Sequence, residues 1–320
     1  TLRSYFQVSY PKMHKHCNDP VKQFIPRAGM TVNELILEMG GAGAYNGGSL
    51  YHAVDVYEKM LNDPDMTKFF GLSGAMVPAG MGGIVSTLIE KGHIDVLTST
   101  GANLTHDLIE AIGCHHYHGE DECDDLELRR DEINRIYDIF LPNEAYEELE
   151  GFIQDVYNGL PEEPITISRL LRTIGEQVDT GILAAAAKHD VPVYCPAFQD
   201  SVLGLQYWMF SQFHKKTILD AIGDMHELLN TAFSVKKAGA VLVGGGVPKN
   251  FTLQTMLMTE KAFTYVVQLT GDRPDLGGLS GATLDEAKSW GKIGEGGIGV
   301  TVYGDATITL PILATATLER

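Results

Sequence analysis

Apolar residues recur at helical spacing from Leu50 to Leu61 (Leu50, Val54, Val56, Tyr57, Met60 and Leu61), and the run stops before Asn62-Asp-Pro64. Thr31 to Met39 reads as a shorter helix, with the glycine-rich stretch Gly40 to Gly48 as a loop between the two. From residue 69 the pattern changes. Phe69 to Leu72, Val96 to Thr100, Pro192 to Tyr194 with Pro196 to Phe198, and Ala240 to Val243 are short apolar runs. Such runs read as strands buried on both faces. Small-residue turns follow them, Ser73 to Gly80 and Gly101 to Asn103, and then helical runs, Met81 to Lys91 and Thr105 to Ile112. Strand, small turn and helix in repeated succession predict an α/β fold: a Rossmann-like parallel sheet with helices on both faces, binding ligands at the carboxyl ends of its strands.

Three stretches stand outside that alternation. Residues 1–30 carry few apolar repeats and read as an N-terminal arm packed on a neighbouring subunit. Residues 119–163 are strongly acidic and read as a mostly helical insertion with no strand. Near the C-terminus, Thr283-Leu-Asp-Glu286 has the spacing of a capping box, predicting a short helix through Trp290 with Gly291 as its stop. Gly294 to Gly299 then reads as flexible, Val300 to Tyr303 as a strand, Gly304-Asp305 as a kink, and Ala306 to Leu310 as a second extended stretch. No linker rich in proline or serine divides the chain and no repeat is evident, so residues 1–320 are expected to form one large domain.

Composition narrows the partners. A formal charge of −18 argues against nucleic acid, whose phosphates require clustered lysine and arginine. An acidic field would concentrate cationic ligands such as polyamines, and it would equally serve plain solubility. No apolar run approaches the ~20 residues of a membrane helix, and the first thirty residues lack the apolar core of a signal peptide. The four cysteines, Cys17, Cys114, Cys123 and Cys195, form no Cys-x-x-Cys pair, which fits reduced thiols and a cytoplasmic location. Cys114, Cys123, His115, His116 and His118 lie close to Glu120, Asp121 and Glu122, but their spacing matches no standard zinc pattern; no metal is expected.

Lys292 is the candidate for chemistry. It sits just past the predicted helix end, beside Trp290. An aromatic wall desolvates an amine and lowers its pKa, and a neutral amine can form a Schiff base. The helix C-terminus favours the ammonium instead, and a lysine there is commonly a solvated cap. Gly244-Gly-Gly246, between a strand and a helix, could let backbone amides approach a pyrophosphate, although the Gly-x-Gly-x-x-Gly spacing is absent.

Glu286-Ala-Lys-Ser-Trp-Gly-Lys-Ile293, followed by Val302-Tyr-Gly-Asp-Ala-Thr307 and Pro311, resembles the C-terminal signature of the deoxyhypusine synthase family. Thr100-Gly-Ala-Asn-Leu-Thr-His-Asp107, Asp131-Glu-Ile-Asn-Arg-Ile136 with Pro142-Asn-Glu144, and Val243-Gly-Gly-Gly-Val-Pro-Lys249 fit in the same order. The resemblance runs from about residue 25 to the C-terminus. It implies an NAD-dependent aminobutyltransferase that takes its group from spermidine through an imine on Lys292. The acceptor is a protein lysine, or a diamine such as putrescine in homospermidine-forming relatives. It also implies a homotetramer with sites at subunit interfaces.

Carried over residue by residue, the resemblance makes Thr100, Gly101, Gly245, Gly246, Gly304 and Asp305 cofactor contacts. The Gly74-Ala75 turn keeps only backbone contacts. Asp200, Glu286, Trp290 and Asn250 become substrate contacts, the two carboxylates as partners for ammonium groups. The chain departs from the family at three places. Asn250 stands where the family has a histidine general base, Leu279 where it has an amine-anchoring aspartate, and Gln268 where it has a tyrosine. Asp272 or Asp275 could replace the lost charge. His106, at a helix start, could supply the base, or could be a polar first-turn residue. Two alternatives therefore remain: NAD-dependent imine chemistry on another amine, or a non-catalytic NAD-binding scaffold.

Overall fold

The computed structural model describes residues 19–214 and 217–320; most of the expected N-terminal arm lies outside the described residues. Its centre is a six-stranded, wholly parallel sheet. We number its strands β1 (Met66–Leu72), β2 (Val96–Ser99), β3 (Val193–Tyr194), β4 (Lys237–Val243), β5 (Phe263–Thr270) and β6 (Ile293–Tyr303). The spatial order is β3-β2-β1-β4-β5-β6, reversing direction between β1 and β4. Leu72 is level with Ser99 on one side and with Val243 on the other, so the carboxyl ends of the central strands finish together. The sheet thus presents the crevice at which Rossmann-type folds hold ligands.

Alternation along the strands builds two cores. Phe70, Val241, Val243, Val267 and Leu269 join one buried cluster, while Phe69, Ala240, Leu242 and Val266 join the other. Successive side chains leave a strand on opposite faces, so each strand feeds both layers. The helix Tyr45–Leu61 covers the first face with Val54, Tyr57 and Met60; Phe251 and Leu253 of the helix Gly246–Gln254 cover the second.

Several expectations need correction. Gly40–Gly48 is not a loop: the helix Val32–Ala42 runs into it and the next helix begins at Tyr45. Gly101–Asn103 is the first turn of the helix Gly101–Ala111, because the Thr100 hydroxyl accepts from the Asn103 amide and caps it. Pro196–Phe198 belongs to no strand; only Val193 and Tyr194 pair with β2. The acidic insertion contains strands, Ile133–Ile136 paired antiparallel with Ile139–Pro142, which in turn pairs with Tyr117–His118. Tyr137 sits at the hairpin tip with φ +57°, a tight turn without the usual Asn-Gly signal.

Gly294–Gly299 is no free loop either. It lies within β6, where Phe263 pairs with Ile293 and Tyr265 with Ile298, so the glycines between form a bulge. Ala306–Leu310 is helical, as the start of Ala306–Leu318. Its β-branched residues suggest a strand, but the Asp305 carboxylate caps the Thr307 amide at 2.8 Å and Leu310, Leu313, Ala314 and Thr317 bury one face at helical spacing. Among the described residues no helix is long and apolar enough to cross a membrane.

Candidate active site

The predicted capping box is present. The Glu286 amide donates to the Thr283 hydroxyl at 3.1 Å, and the Glu286 carboxylate accepts from the Thr283 amide at 2.8 Å. Reciprocal capping of this kind contributes about 1 kcal/mol and starts a helix of only six residues, Leu284–Ser289. Trp290 closes it, and Gly291 takes φ +73°, a conformation that favours glycine. The chain then reverses: the Lys292 amide bonds to the Ala287 carbonyl at 2.9 Å, and the Lys292 carbonyl accepts from Phe263 at 3.0 Å. Lys292 is therefore fixed between a helix end and the start of β6.

Its side chain reaches the helix Gly246–Gln254. Nζ donates to Asn250 Oδ1 at 3.0 Å and lies 5.9 Å from the centre of the Trp290 ring. Partial burial pushes the Lys292 ammonium below its ordinary pKa, the direction an imine-forming amine requires. Trp290 is itself 68% exposed, so its ring is a wall of the site rather than a core group.

Asn250 ties this corner to a second region. It sits one turn inside the helix Gly246–Gln254, whose N-terminus follows β4. Around that N-terminus is a cleft of about 380 Å³ at the strand ends, lined by Thr100, Gly101, Asp200, Gly244 to Gly246, Asp272 and Ser280 among others. The volume is that of a small-molecule site. Glycine is required at two of its walls: a Cβ on Gly101 would lie 2.4 Å from Ser201 Cβ, and one on Gly245 would lie 2.3 Å from Ser280 Cα. The Gly101 and Gly246 turns each open a helix into the cleft, and helix N-termini favour anionic groups.

Four of the six cofactor candidates, Thr100, Gly101, Gly245 and Gly246, therefore line one cleft together with Asp200 and Asp272. Asp305 does not join them. It lines a separate cavity of about 960 Å³ with Ala75, Asp107, Glu110, His116 and Thr307, while one of its carboxylate oxygens caps the last helix. Gly304 precedes it, its amide bonded to the Thr270 carbonyl at 3.0 Å.

His106 is not among the described side chains lining the Thr100–Gly246 cleft. Its Nδ1 is 2.9 Å from His116 Nε2, whose Nδ1 is 2.6 Å from Glu110. Burial pushes His106 down to about 4, so it is neutral near neutral pH. His115 shares the Glu110 carboxylate, and among the described residues no His, Cys, Asp and Glu side chains converge as a metal site.

Sequence reasoning named Gln268 only as a departure from the family and missed the contacts that shape the glycine turn. Ser73 donates its hydroxyl to the Gly245 carbonyl, and the Gly246 amide donates to the Ser280 hydroxyl at 3.1 Å. Gln268 is buried and bridges the Gly244 and Ser280 carbonyls at 3.0 and 2.9 Å. Lys249, 3% exposed, donates to the carbonyls of Leu279 and Ala282. The pattern that marks them in the sequence is only a polar residue within an apolar run, as at Gln268 in β5.

Comparison with known proteins identifies the family. The deoxyhypusine synthase family model matches residues 34–317. A protein of Methanosarcina acetivorans described as "Probable deoxyhypusine synthase 1" is 53% identical over 305 residues, covering 94% of this chain and 95% of its own. The protein of the same description from Methanosarcina mazei is 51% identical over 310 residues, covering 96% of each. Among solved structures, the crystal structure of a "putative deoxyhypusine synthase" from Entamoeba histolytica superposes with a TM-score of 0.62 at 16% identity, covering 91% of this chain and 94% of the other. That last likeness concerns the fold alone. By the family match and the extent of the identity, this chain belongs to the deoxyhypusine synthase family.

Proposed function

We propose that this chain transfers an aminobutyl group from spermidine to an acceptor amine, through an imine carried on Lys292, in an NAD-dependent reaction. The observation that carries the reading is the Lys292 amine, partly desolvated, bonded to Asn250 on the same helix whose N-terminus opens the glycine-lined cleft. Thr100, Gly101, Gly245 and Gly246 would hold the dinucleotide, with backbone turns too tight for a Cβ meeting its phosphates, while Asp200 in the same cleft would partner an ammonium group of the polyamine. The chemistry such a cofactor supplies is hydride acceptance from the polyamine's secondary amine and hydride return to the product.

The chain's own groups do the rest. The neutral Lys292 amine adds to the C=N bond of the oxidised polyamine, and the diamine leaves as the four-carbon unit passes to Nζ. An acceptor amine then adds to that imine and releases Lys292, leaving the C=N bond on the acceptor; return of the hydride taken in the first step would reduce it, so the overall transfer carries no net oxidation. Asn250 orients the Lys292 amine and accepts its N–H, but it takes no proton near neutral pH. The lowered pKa of Lys292 therefore bears more of the task than a neighbouring base would. His106 as base remains a proposal for a residue that faces His116.

We propose further that residues 1–320 act as one NAD-binding domain and that copies assemble as a homotetramer. Bare apolar side chains such as Phe213, Ile222 and Trp208 support an interface. Asn250 and Leu279, in place of a base and an anionic anchor, favour a second reading in which the donor or acceptor is another amine. One experiment separates them: incubate with NAD and spermidine, reduce with borohydride, and map added mass. An aminobutyl adduct on Lys292 supports the transfer. Bound NAD without adduct or NADH removes spermidine as donor.

A further inference from the structure

Asn250 is held at both ends of its amide. Its Oδ1 accepts from the Lys292 amine at 3.0 Å, and its Nδ2 donates to Gln254 Oε1, also at 3.0 Å. Gln254 follows Asn250 by one helical turn, on the same face of the helix Gly246–Gln254 and at its last position. The chain tightens there into the turn Thr255–Met258. The Thr255 hydroxyl donates to the Thr252 carbonyl at 2.7 Å, and Thr255 and Met256 are both buried. The helix end that carries Gln254 is therefore fixed.

An ammonium only donates, so protonated Lys292 must meet the oxygen end of the Asn250 amide. Once the proton has gone, either end of the amide could face the amine. With Oδ1 facing it, the amine gives one N–H and keeps its lone pair free. With Nδ2 facing it, the lone pair accepts a hydrogen bond and is occupied. An imine forms by attack of that lone pair on carbon. We propose that Gln254 is a positioning residue for this attack: by taking the Asn250 Nδ2–H it keeps Oδ1 toward Lys292, so that the lone pair of the neutral amine stays open to the electrophile. The inference rests on the reading of Lys292 as an amine nucleophile. Both hydrogen bonds run in one direction, from Lys292 to Asn250 to Gln254, so reversal requires the two carboxamides to turn together.

The test needs neither NAD nor spermidine. Full-length protein is labelled with trace acetic anhydride across a pH series against a free-amine standard, and acylation of Lys292 is read by peptide mass spectrometry. The profile gives a titration midpoint and a plateau rate, and the plateau reports the reactivity of the neutral amine. Gln254→Met keeps the length of the side chain and removes the acceptor. It is expected to lower the plateau about fivefold, because the freed amide turns and occupies the lone pair. The midpoint should fall by about half a pH unit, because the ammonium loses its acceptor. Gln254→Glu accepts and never donates, so it should hold the plateau at or above the wild-type rate. Gln254→Leu serves if the methionine variant does not fold. Thr255→Val loosens the same helix end without touching either amide and is expected to leave both quantities in place. An unchanged plateau in folded Gln254→Met or Gln254→Leu overturns the proposal. So does an equal fall in Gln254→Glu or Thr255→Val, or a raised midpoint in Gln254→Met, which would mean that Lys292 has merely opened to water. Absence of an aminobutyl adduct from spermidine would remove the proposed substrate while leaving this result untouched.

Discussion

The strand-end cleft and the lysine corner share one helix, Gly246–Gln254, but are made of different material. The cleft is built from backbone: two helix N-termini, glycines with no room for a Cβ, and hydroxyls that tie turns to turns. The corner is built from side chains, Lys292 on Asn250 and Lys249 on two carbonyls. Backbone sites tolerate exchange of neighbouring side chains yet fail when a single methyl is added. Side-chain sites can change their chemistry one residue at a time while the frame stays. The departures at Asn250, Leu279 and Gln268 all fall in or beside the corner, where such change costs least.

The sharpest way to break the comparison is to strike each region once. Lys292→Ala should reduce turnover by about a thousandfold or more and abolish the borohydride-trapped adduct, while NAD titration is unchanged. A loss of NAD binding would mean the two regions are one. Gly101→Ala should do the reverse. Its Cβ would meet Ser201 Cβ at 2.4 Å, and relief of that overlap costs about 1–3 kcal/mol, weakening NAD about tenfold while acylation of Lys292 by trace acetic anhydride stays intact. Calorimetric NAD binding and the extent of Lys292 acylation, read by peptide mass spectrometry, together decide it.

The same division explains what the sequence makes legible. Parallel strands as short apolar runs, the Thr283–Glu286 cap and the Gly291 stop rest on local patterns, and the structure has them, Pro196–Phe198 excepted. The last helix is hidden because Thr307, Ile308 and Thr309 have strand-like branching, and only the Asp305 cap and the burial of Leu310 and Leu313 decide it. The hairpin at Tyr137 is hidden because its strands are four residues long and its turn lacks glycine or asparagine. Within the site, Thr100, Gly101, Gly245 and Gly246 come together as the motifs imply, whereas Lys249 and Gln268 act through contacts distant in sequence that no spacing reveals.

Smaller effects sharpen the corner itself. Asn250→His places a titratable ring where Lys292 Nζ now meets an amide oxygen, and adduct formation near neutral pH should rise about tenfold, read from its pH-rate profile. A slower reaction would mean the amide's geometry matters more than a base. Lys249 also leaves a mark on stability. Its folded pKa is lowered to about 8, below the unfolded value, so the folded state binds fewer protons between the two. The contribution is therefore present above the unfolded pKa and lost as pH falls through the folded one. Wild-type stability should gain on the order of 2 kcal/mol relative to Lys249→Met between those limits, by urea titration at paired pH values.

The smallest effect separates two roles of Glu286. Its carboxylate caps a helix through Thr283, yet it also stands near enough to Lys249 to raise that group's pKa, so its charge reaches the corner. Glutamine at this helix position preserves a capping box, because the amide oxygen can still accept from the Thr283 backbone. Thr283→Ala should therefore lower stability by about 1 kcal/mol and leave the Michaelis constant for a polyamine nearly unchanged. Glu286→Gln should do the opposite, with unfolding within a few tenths of a kcal/mol of wild type and a Michaelis constant raised several-fold as an ammonium partner is lost. If instead both substitutions lower stability alike and leave the Michaelis constant alone, Glu286 serves the helix only. The recognition of the polyamine's far ammonium would then fall to Asp200 and Asp272, which line the cleft.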